Sequence, residues 1–365
     1  KKYFFELFYF FFELFLILCL IIIEIITMKS LKIWLQNARM VSLAQSLLPA
    51  ILAVIIAINE QDFNIFLAIL AVLGVVSAHL GMNLADDFFD YKVNTAESRK
   101  ELSRQGFRAR IVKYPYLTSN QATLSDLKRV IILFLLFATI MGGIILALRF
   151  NWLIVLIAFL TLFLGISYSG FPFKFSYIGL GELVIGIIFG PLLMMGVYIA
   201  SANRLDTSVV LASIPVGLLV VNILFTHSFI DQKADESADK MTFARLLKTN
   251  KANLTASILF NFIPYLIIVA GVILKYLHPL YLLIFLVLPR SIWLIKSLIE
   301  FTKSNNTTLT KPPKYMGNMG DWEKFQTAGI DWFMARWLAA RNILSLFCIV
   351  IIIVNIILWL SKCFI

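Results

Sequence analysis

Cysteine and charge are both scarce in this chain of 365 residues. Its three cysteines form no CxxC pair and no Cys/His cluster, so the sequence indicates neither a disulfide framework nor a zinc site. Charged residues make up 15% of the chain and hydrophobic residues 60%, whereas a soluble domain averages about 25% charged residues. The shortage of charge therefore excludes an ordinary soluble domain and predicts a polytopic membrane protein.

Long apolar runs, by contrast, are abundant. A membrane helix needs about 20 mostly apolar residues, and by that measure we predict an all-α bundle of about nine transmembrane helices around a central cavity. The eighth run contains Pro289 and Arg290, which predict a kink or an early exit from the membrane. The nine predicted spans are 42–58, 63–85, 130–148, 151–169, 178–200, 207–228, 253–276, 279–298 and 342–361.

The net charge of +11 is distributed unevenly along the chain. If residues 28–41 are cytoplasmic and the spans alternate, the inside segments hold 25 lysines and arginines, and the outside loops with the C-terminal tail hold four. This asymmetry follows the positive-inside rule and predicts that the even-numbered spans end in the cytoplasm. The basic loops then face anionic lipid, so no nucleic-acid partner is predicted.

Residues 1–27 form an apolar N-terminal extension that contains Glu6, Glu13 and Glu24. Three carboxylates within one span would be costly, and the segment has no small-residue cleavage site of a secretory signal. We interpret it as translation upstream of a misplaced start, and the alternative is an extra membrane helix. Residues 28–365 are predicted to form a single transmembrane domain.

Two of the predicted cytoplasmic loops are long, 86–129 and 299–341. The second contains Trp322, Trp332 and Trp337 among charged residues. Tryptophans interspersed with charges are typical of a helix that lies in the membrane interface. The second loop is therefore predicted to carry an amphipathic helix on the membrane surface.

The second predicted span ends in NLADDFFDY, which concentrates acids where an apolar helix leaves the membrane. Four side chains with oxygen atoms are spaced i, i+3, i+4 and i+7, so on a helix they share one face. Asp86 is expected to be the weakest member of this set and to face solvent. We name the set the first acidic stripe: Asn83, Asp86, Asp87 and Asp90.

The sixth predicted span is followed by a similar pattern, FTHSFIDQKADESADK. Four polar side chains recur at steps of i+4 and would again share one face of a helix. Glu236 and Asp239 could equally belong to a solvated face. We name the set the second acidic stripe: His227, Asp231, Asp235 and Asp239.

Both stripes are predicted at cytoplasmic helix ends, four spans apart. Like charges so close repel each other, so a cation is expected to offset them. Carboxylates that give one or two ligands each, with substrate phosphates completing the shell, are the usual magnesium arrangement. Two facing stripes could therefore grip a diphosphate through bridging magnesium ions. The alternative for either stripe is an ordinary charged helix end that reaches water.

These motifs resemble those of the UbiA superfamily of intramembrane prenyltransferases. Asn83, Asp87 and Asp90 match its N-x-x-x-D-x-x-D motif, while Asp231 and Asp235 match its D-x-x-x-D motif. The segment DDFFDYK most closely resembles the corresponding segment of the menaquinone branch, whose acceptor is 1,4-dihydroxy-2-naphthoate. Further positions that match the family are Arg39, Ser42, Tyr168, Pro172, Gly179, Gly181, Glu182 and Gly190.

The resemblance implies an enzyme that moves a polyprenyl group from polyprenyl diphosphate to an aromatic acceptor, with Mg²⁺ as its cofactor. The implied catalytic residues, which are also metal ligands, are Asp87, Asp90, Asp231 and Asp235, with Asn83 as a further ligand. The implied substrate-binding residues are Asn83, Lys92, Arg99, Lys100, Tyr168, Lys174 and Lys240.

Several of these residues also have plainer interpretations. Lys174 could bind an acceptor carboxylate or be an ordinary cytoplasmic lysine. Tyr168 could face the allylic cation or simply begin a turn. His227 could act as a base, although a hydrogen-bonded structural histidine is the simpler interpretation. The aromatic side chains that could shield the cation are Phe88, Phe89, Tyr168 and Phe171.

Other protein classes compete with this interpretation. An ion-coupled transporter would use the acids as ion sites, but such sites usually lie near the middle of the bilayer. A non-catalytic scaffold would not need two acid pairs. Within the enzyme class, the acceptor could instead be 4-hydroxybenzoate, haem or a lipid alcohol. We expect an integral protein of the bacterial inner membrane with its site toward the cytoplasm, and its oligomeric state is open.

Overall fold

The structure is a computed structural model that describes residues 31–92, 114–118, 120–237, 240–304 and 311–363. Within these ranges every regular element is a helix, and the one pairing of extended backbone is a bridge between Ile178 and Met241. The predicted all-α fold is confirmed. The extension at 1–27 lies outside the described residues.

Eight of the helices are long and apolar enough to cross a membrane. The first predicted span is shorter, a 14-residue helix, α2 (Ala44–Ala57), which follows α1 (Leu31–Asn37) and a 3-10 turn. The central cavity stays a prediction. The eight long helices are α3 (Ile65–Lys92), α5 (Leu124–Leu148), α6 (Trp152–Ser169), α7 (Gly181–Ala202), α8 (Thr207–Ile230), α11 (Asn250–Ile273), α12 (Pro279–Lys303) and α14 (Asp331–Cys363).

Short helices lie in the connections. Helix α8 is the most enclosed of the long helices, with 72% of its most apolar stretch buried, whereas only 11% of that stretch is buried in α6. Helix α14 packs against both α2 and α8, so the first and last apolar helices are neighbours. The short connecting helices are α4 (Pro115–Thr118), α9 (Gln232–Ser237), α10 (Phe243–Leu246) and α13 (Trp322–Thr327).

Helix α3 continues seven residues beyond the predicted end of its span at 85 and ends at Lys92. No glycine or proline interrupts the chain between Met82 and Lys92, so nothing in the backbone stops the helix. The first acidic stripe therefore lies on continuous helix, as the spacing predicted. The ends of α3 and α8 that carry the two stripes define what we call the acidic end of the bundle.

The opposite end of the bundle is closed by polar contacts. Glu60 accepts a hydrogen bond from the Tyr198 hydroxyl at 2.7 Å and forms an ion pair with Arg204 at 3.1 Å. Arg149 donates to the carbonyl oxygen of Asp62 at 2.8 Å. These contacts tie together the loops that join α2 to α3, α5 to α6 and α7 to α8.

Helices α7 and α8 approach each other closely through glycines. A Cβ atom added at Gly190 would lie 2.5 Å from the Cα atom of Gly217 and 2.7 Å from the carbonyl oxygen of Ser213. Gly190 lies in a π-helical turn of α7, Ile188–Leu192, which contains Pro191. Proline has no backbone N–H and favours such local irregularity. The two backbones are thus in contact where α7 changes its winding.

At Pro289 and Arg290, where a kink or an early exit from the membrane was predicted, the helix changes type. Helix α12 is a 3-10 helix over Pro279–Val287 and becomes α-helical at Leu288. A proline near the first position of an α-helix is favourable because the N–H that it lacks would be unpaired there. The sequence signal therefore marks the junction of the two helical segments.

The prediction of an amphipathic surface helix within 299–341 is wrong. Trp332 and Trp337 lie in the first turns of α14, which begins at Asp331 rather than at 342, and Trp322 is only 7% exposed. Arg336 explains why α14 can begin before residue 342. It is 1% exposed, and its guanidinium donates to carbonyl oxygens and lies 5.2 Å from the ring of Phe301. A charge that is satisfied inside the protein does not need a surface helix.

Candidate active site

The first acidic stripe is buried at the end of α3. Asp87 and Asp90 are both 0% exposed. Asp86 was expected to face solvent, and this prediction is wrong: its side chain is only 13% exposed. It accepts hydrogen bonds from the Ser169 hydroxyl at 2.6 Å and from Arg39 at 3.1 Å. The stripe is therefore turned toward α1 and α6 and not toward water.

Among the described residues, Arg39 is a cation that faces this stripe. Its guanidinium forms ion pairs with both Asp86 and Asp87, and the Tyr116 hydroxyl donates to the other oxygen of Asp87 at 3.1 Å. Arg39 has a φ of 60°, in the left-handed region, which allows the chain to turn from α1 into the 3-10 turn and α2. Burial lowers the pKa of Arg39, but the two carboxylates outweigh it and raise that pKa above its usual range.

Asn83 is held by its amide group. Its Nδ2 atom donates to the carbonyl oxygen of Ala38 at 3.0 Å and to the hydroxyl of Ser42 at 3.0 Å. Both amide hydrogens are therefore used, and the carbonyl oxygen Oδ1 is the atom that the amide can offer to a cation or a donor.

The second acidic stripe is not one continuous helix. Helix α8 ends at Ile230, Asp231 is its C-cap residue, and α9 begins at Gln232. The N–H of Asp235 still donates to the carbonyl oxygen of Asp231 at 3.1 Å, so helical spacing persists across the break. Asp231 is 5% exposed and Asp235 4% exposed, so both are buried as the first stripe is.

The other two members of the second stripe differ from these. Asp239 lies outside the described residues. The ring of His227 packs edge-on against the ring of Phe333 at 5.0 Å between centroids. This contact with the start of α14 suits the interpretation of His227 as a structural histidine.

A loop between α6 and α7 contacts the first stripe and the segment that follows the second, and we name residues 170–180 the bridging loop. The Tyr177 hydroxyl donates to Asp90 at 2.6 Å, and the Lys240 ammonium lies 5.6 Å from the centre of the Tyr177 ring. The N–H of Gly179 donates to the carbonyl oxygen of Met241 at 2.8 Å. Gly179 has a φ of +83°, which favours glycine. The bridging loop thus joins the end of α3 to the segment after Asp235.

Glu182 fixes the same junction from α7. It is 4% exposed and accepts hydrogen bonds from the N–H of Phe243 at 3.2 and 3.3 Å. It also interacts with the Ser228 hydroxyl and with the charge of Lys240. Because Ser228 precedes Asp231 by less than one turn, Glu182 holds both sides of the break in the second stripe.

The remaining predicted residues are distributed around this centre. Tyr168, in the last turn of α6, packs beside Gly181 and lies within electrostatic range of Asp86 and Asp235, one from each stripe. Lys174 is exposed on the bridging loop. Arg99, Lys100 and the side chain of Lys92 lie outside the described residues.

The aromatic candidates have different surroundings. Phe171 is 82% exposed at the tip of the bridging loop. Phe88 and Phe89 are half-buried and contact each other edge to face at 5.6 Å. A Cβ atom added at Gly170 would come within 2.9 Å of the Phe89 ring, so that ring lies against the start of the bridging loop.

The chemistry of the two stripes fits a hard divalent cation. The part of the chain that the structure describes has no three Asp, Glu, His or Cys side chains close enough to share one ion. Arg39 and the hydroxyls of Ser169, Tyr116 and Tyr177 contact carboxylate oxygens of the first stripe. The donor set itself consists of buried carboxylates and one amide, which are the oxygen ligands that Mg²⁺ prefers.

Sequence reasoning did not predict the roles of Tyr116, Ser169 and Tyr177. Arg39 and Glu182 are among the positions that match the family, but their spacing in the sequence did not predict which residues they contact. The signal for Tyr177 is weak, since a tyrosine in a Gly- and Pro-containing loop has many possible reasons to be there. Only the fold brings these side chains to the acids.

Comparison with known proteins identifies the family of the chain. A sequence model described as the UbiA prenyltransferase family matches residues 46–311, which include both acid motifs. The chain is 23% identical over 269 residues to 1,4-dihydroxy-2-naphthoate octaprenyltransferase of Bacillus subtilis, covering 73% of this chain and 81% of that one. It is 28% identical to 2-carboxy-1,4-naphthoquinone phytyltransferase of Synechocystis sp., covering 66% and 71%.

Two solved structures share the fold. One is a digeranylgeranylglyceryl phosphate synthase, with a TM-score of 0.55, 17% identity, and coverage of 88% of this chain and 98% of that one. The other is a UbiA homologue from Archaeoglobus fulgidus bound to GPP and Mg²⁺, with a TM-score of 0.54, 12% identity, and coverage of 85% and 97%. With the family model matching most of the chain and both acid motifs within it, the chain belongs to the UbiA prenyltransferase family.

Proposed function

We propose that this membrane protein transfers a polyprenyl group from polyprenyl diphosphate to 1,4-dihydroxy-2-naphthoate and that the transfer depends on Mg²⁺. The observation that carries the proposal is the junction at the acidic end, where one loop contacts Asp90 of the first stripe and the segment that follows Asp235 of the second. Two sets of buried carboxylates joined in this way suit a ligand that is itself multiply charged and bridged by cations.

The proposed metal-holding residues are Asn83, Asp87, Asp90, Asp231 and Asp235. When bound, Mg²⁺ supplies electrostatic stabilisation for the charge that develops on the departing diphosphate. Arg39 and Tyr177 orient Asp87 and Asp90, which favours a single arrangement of the ligands. Lys240, beside the Tyr177 ring, is suited to offset negative charge on the diphosphate, and Lys92, Arg99 and Lys100 are proposed for the same role.

The acceptor assignment rests on the names of relatives. The proteins from Bacillus subtilis and Synechocystis are both named for naphthalene-derived acceptors. In the proposed arrangement, Tyr168 shields the reacting carbon, since it lies within range of both stripes, and the exposed Lys174 meets the acceptor carboxylate. 4-Hydroxybenzoate, haem and a lipid alcohol are the acceptors to compare.

The proposed orientation puts the acidic end toward the cytoplasm of a bacterial inner membrane. The distribution of basic residues supports it, with 25 on the proposed inner side and four on the outer. An ion-coupled transporter is less well supported, because the acids cluster at one end of the bundle and transporter sites usually lie near mid-bilayer.

A product assay tests the proposal directly. Purified protein in lipid nanodiscs is incubated with labelled polyprenyl diphosphate, one acceptor at a time, and the product is identified by mass. We expect a prenylated naphthoate with Mg²⁺ and none after chelation by EDTA, with full recovery when Mg²⁺ is restored. Product from 4-hydroxybenzoate alone would contradict the acceptor, and undiminished product in EDTA would contradict the metal.

Replacing Tyr177 by phenylalanine is expected to lower kcat/KM for the diphosphate by about 10-fold, the effect of losing one hydrogen bond to a charged group. The ring stays, so its contact with Lys240 is kept. Tyr276→Phe, at an exposed tyrosine of the opposite end, is the matched control and should match wild type. If Tyr177→Phe also matches wild type, the bridging loop does not orient Asp90.

A further inference from the structure

A polar layer lies one helical turn deeper in the bundle than Asn83. Its centre is His79 on α3, which is 6% exposed and precedes Asn83 by four residues, so the two share a helix face. The Nδ1 atom of its ring lies 2.7 Å from the Ser46 hydroxyl, and the Nε2 atom lies 3.3 Å from the Ser42 hydroxyl. The proposed catalytic chemistry uses none of His79, Ser42 or Ser46.

Ser42 is the shared member of this layer. Its hydroxyl donates to the carbonyl oxygen of Arg39 at 2.8 Å, accepts from Asn83 at 3.0 Å and meets His79. Two of these partners, Asn83 and Arg39, belong to the acidic end. Asn83 is a proposed metal ligand, and Arg39 occupies the left-handed turn from which its guanidinium reaches Asp87. The Ser42 hydroxyl therefore contacts two residues of the acidic end, the amide of Asn83 and the backbone of Arg39.

The hydrogens of the layer restrict how it can be arranged. A hydroxyl has one hydrogen, so Ser42 can donate either to the Arg39 carbonyl or to His79, and it accepts from Asn83 in both cases. The ring of a neutral histidine has one N–H and one acceptor nitrogen. His79 thus helps to hold the Ser42 oxygen in place, and that oxygen, together with the carbonyl oxygen of Ala38, holds the Nδ2 atom of Asn83.

The apolar side of the His79 ring is fixed as well. The ring of Phe189 lies 4.7 Å from it between centroids, and Phe189 is part of the π-helical turn of α7. Turns of this kind are frequent at functional sites. His79 is therefore held by the 3-10 turn through Ser42, by α2 through Ser46 and by α7 through the ring of Phe189, and it cannot rotate without breaking one of these contacts.

We infer that His79 is a positioning residue, which acts through Ser42 to direct the Oδ1 atom of Asn83 toward the acidic end. The inference rests on the proposed function, since Asn83 is a proposed ligand there. Outer partners of metal ligands are costly to lose, with typical effects of about 10- to 100-fold on affinity or activity. The effect on Asn83 passes through the Nε2 atom of His79, which contacts Ser42, and not through Nδ1, which contacts Ser46. An ordinary core histidine would show no such difference between its two nitrogens.

Two isosteric variants separate the two sides of the ring. The amide nitrogen of glutamine can take the place of Nε2, and that of asparagine can take the place of Nδ1. We expect His79→Gln to stay close to wild type. We expect His79→Asn and His79→Leu to raise the KM for polyprenyl diphosphate and the Mg²⁺ concentration for half-maximal activity by about 10-fold or more. Ser201→Ala, at a buried serine near the opposite end, is the control.

A binding measurement accompanies the kinetics. Isothermal titration of a non-hydrolysable prenyl diphosphate analogue, with Mg²⁺ present, should give the same order of affinities among the His79 variants. If wild type binds the analogue but yields no product with any acceptor, the proposed reaction fails, and the ranking of the variants still tests His79. If wild type is active and His79→Asn matches it while His79→Gln does not, the inference is overturned, as it also is if all the variants match wild type.

A double-mutant cycle keeps the inference testable if the His79 variants fold poorly. Ser42→Ala alone should reproduce the rise in KM, and adding His79→Asn to it should change little, because both changes interrupt one path. Thermal midpoints in detergent identify variants that are merely unstable. Additive effects of the two changes on KM would mean that His79 does not act through Ser42, and would overturn the inference.

Discussion

Replacing Asp235 by asparagine is expected to reduce turnover by about 10² to 10³-fold or more, the scale of losing one group that stabilises the charge formed in the reaction. Asparagine keeps the size of the side chain and removes its charge. Asp235 is 4% exposed and begins the segment whose Lys240 reaches Tyr177. Asp87→Asn is expected to have an effect of the same size from the other stripe. Product formation over a range of Mg²⁺ concentrations is the measurement.

The matched control is the adjacent acid. Glu236→Gln removes a charge from the same short helix, but Glu236 is exposed, and we expect wild-type activity. The thermal midpoint of Asp87→Asn must be measured in parallel, because this change leaves Arg39 with one carboxylate fewer. Full activity in stable Asp87→Asn or Asp235→Asn protein would refute the role given to the stripes.

Replacing Gly190 by alanine is expected to lower the free energy of unfolding by about 3 kcal/mol, the upper end of the usual cost of overpacking. The added methyl group would meet backbone atoms of Gly217 at 2.5 and 2.6 Å, and backbone cannot rotate away as a side chain can. Helices α7 and α8 would separate, and with them Glu182 and Asp231. The thermal midpoint and the yield of monodisperse protein in detergent are the measurements.

The chain offers a control with the same substitution. A Cβ atom added at Gly142 on α5 has no heavy atom within 4 Å apart from the nearby backbone of its own helix, so Gly142→Ala should leave the midpoint unchanged or raise it slightly. Alanine also favours helix more than glycine does, which acts in the same direction at both sites. Equal midpoints for the two variants would show that α7 and α8 can move apart without cost.

The acid motifs could be predicted because they depend on local spacing. Asp87 and Asp90 lie on one turn of α3, and a helix period alone gives them a shared face. The partners of these acids could not be predicted in this way. Arg39 is 48 residues from Asp87 in sequence, and Tyr177 is 87 residues from Asp90, so only the packing of α1, α3 and the bridging loop brings them together. Asp86 was misjudged for this reason.

Helix ends were predicted less well than helix cores, and charge is the common cause. Hydropathy treats Arg336 as a break, yet it lies within α14 because carbonyl oxygens and an aromatic ring satisfy it inside the protein. In α8 the helix stops at Ile230 although the period of the acids continues to Asp235. No local rule distinguishes a charge that ends a helix from one that the tertiary structure accommodates.

The shortness of α2 has a consequence for the surrounding lipid. At 1.5 Å per residue its 14 residues cover about 21 Å, whereas the hydrocarbon core of a bilayer is about 30 Å thick. Its neighbour α14 has 33 residues and exceeds that thickness. A membrane meets a hydrophobic segment shorter than its core by thinning, at a cost of fractions of a kcal/mol per Å. We therefore expect the thickness of the bilayer to influence α2, the helix that follows the Arg39 turn.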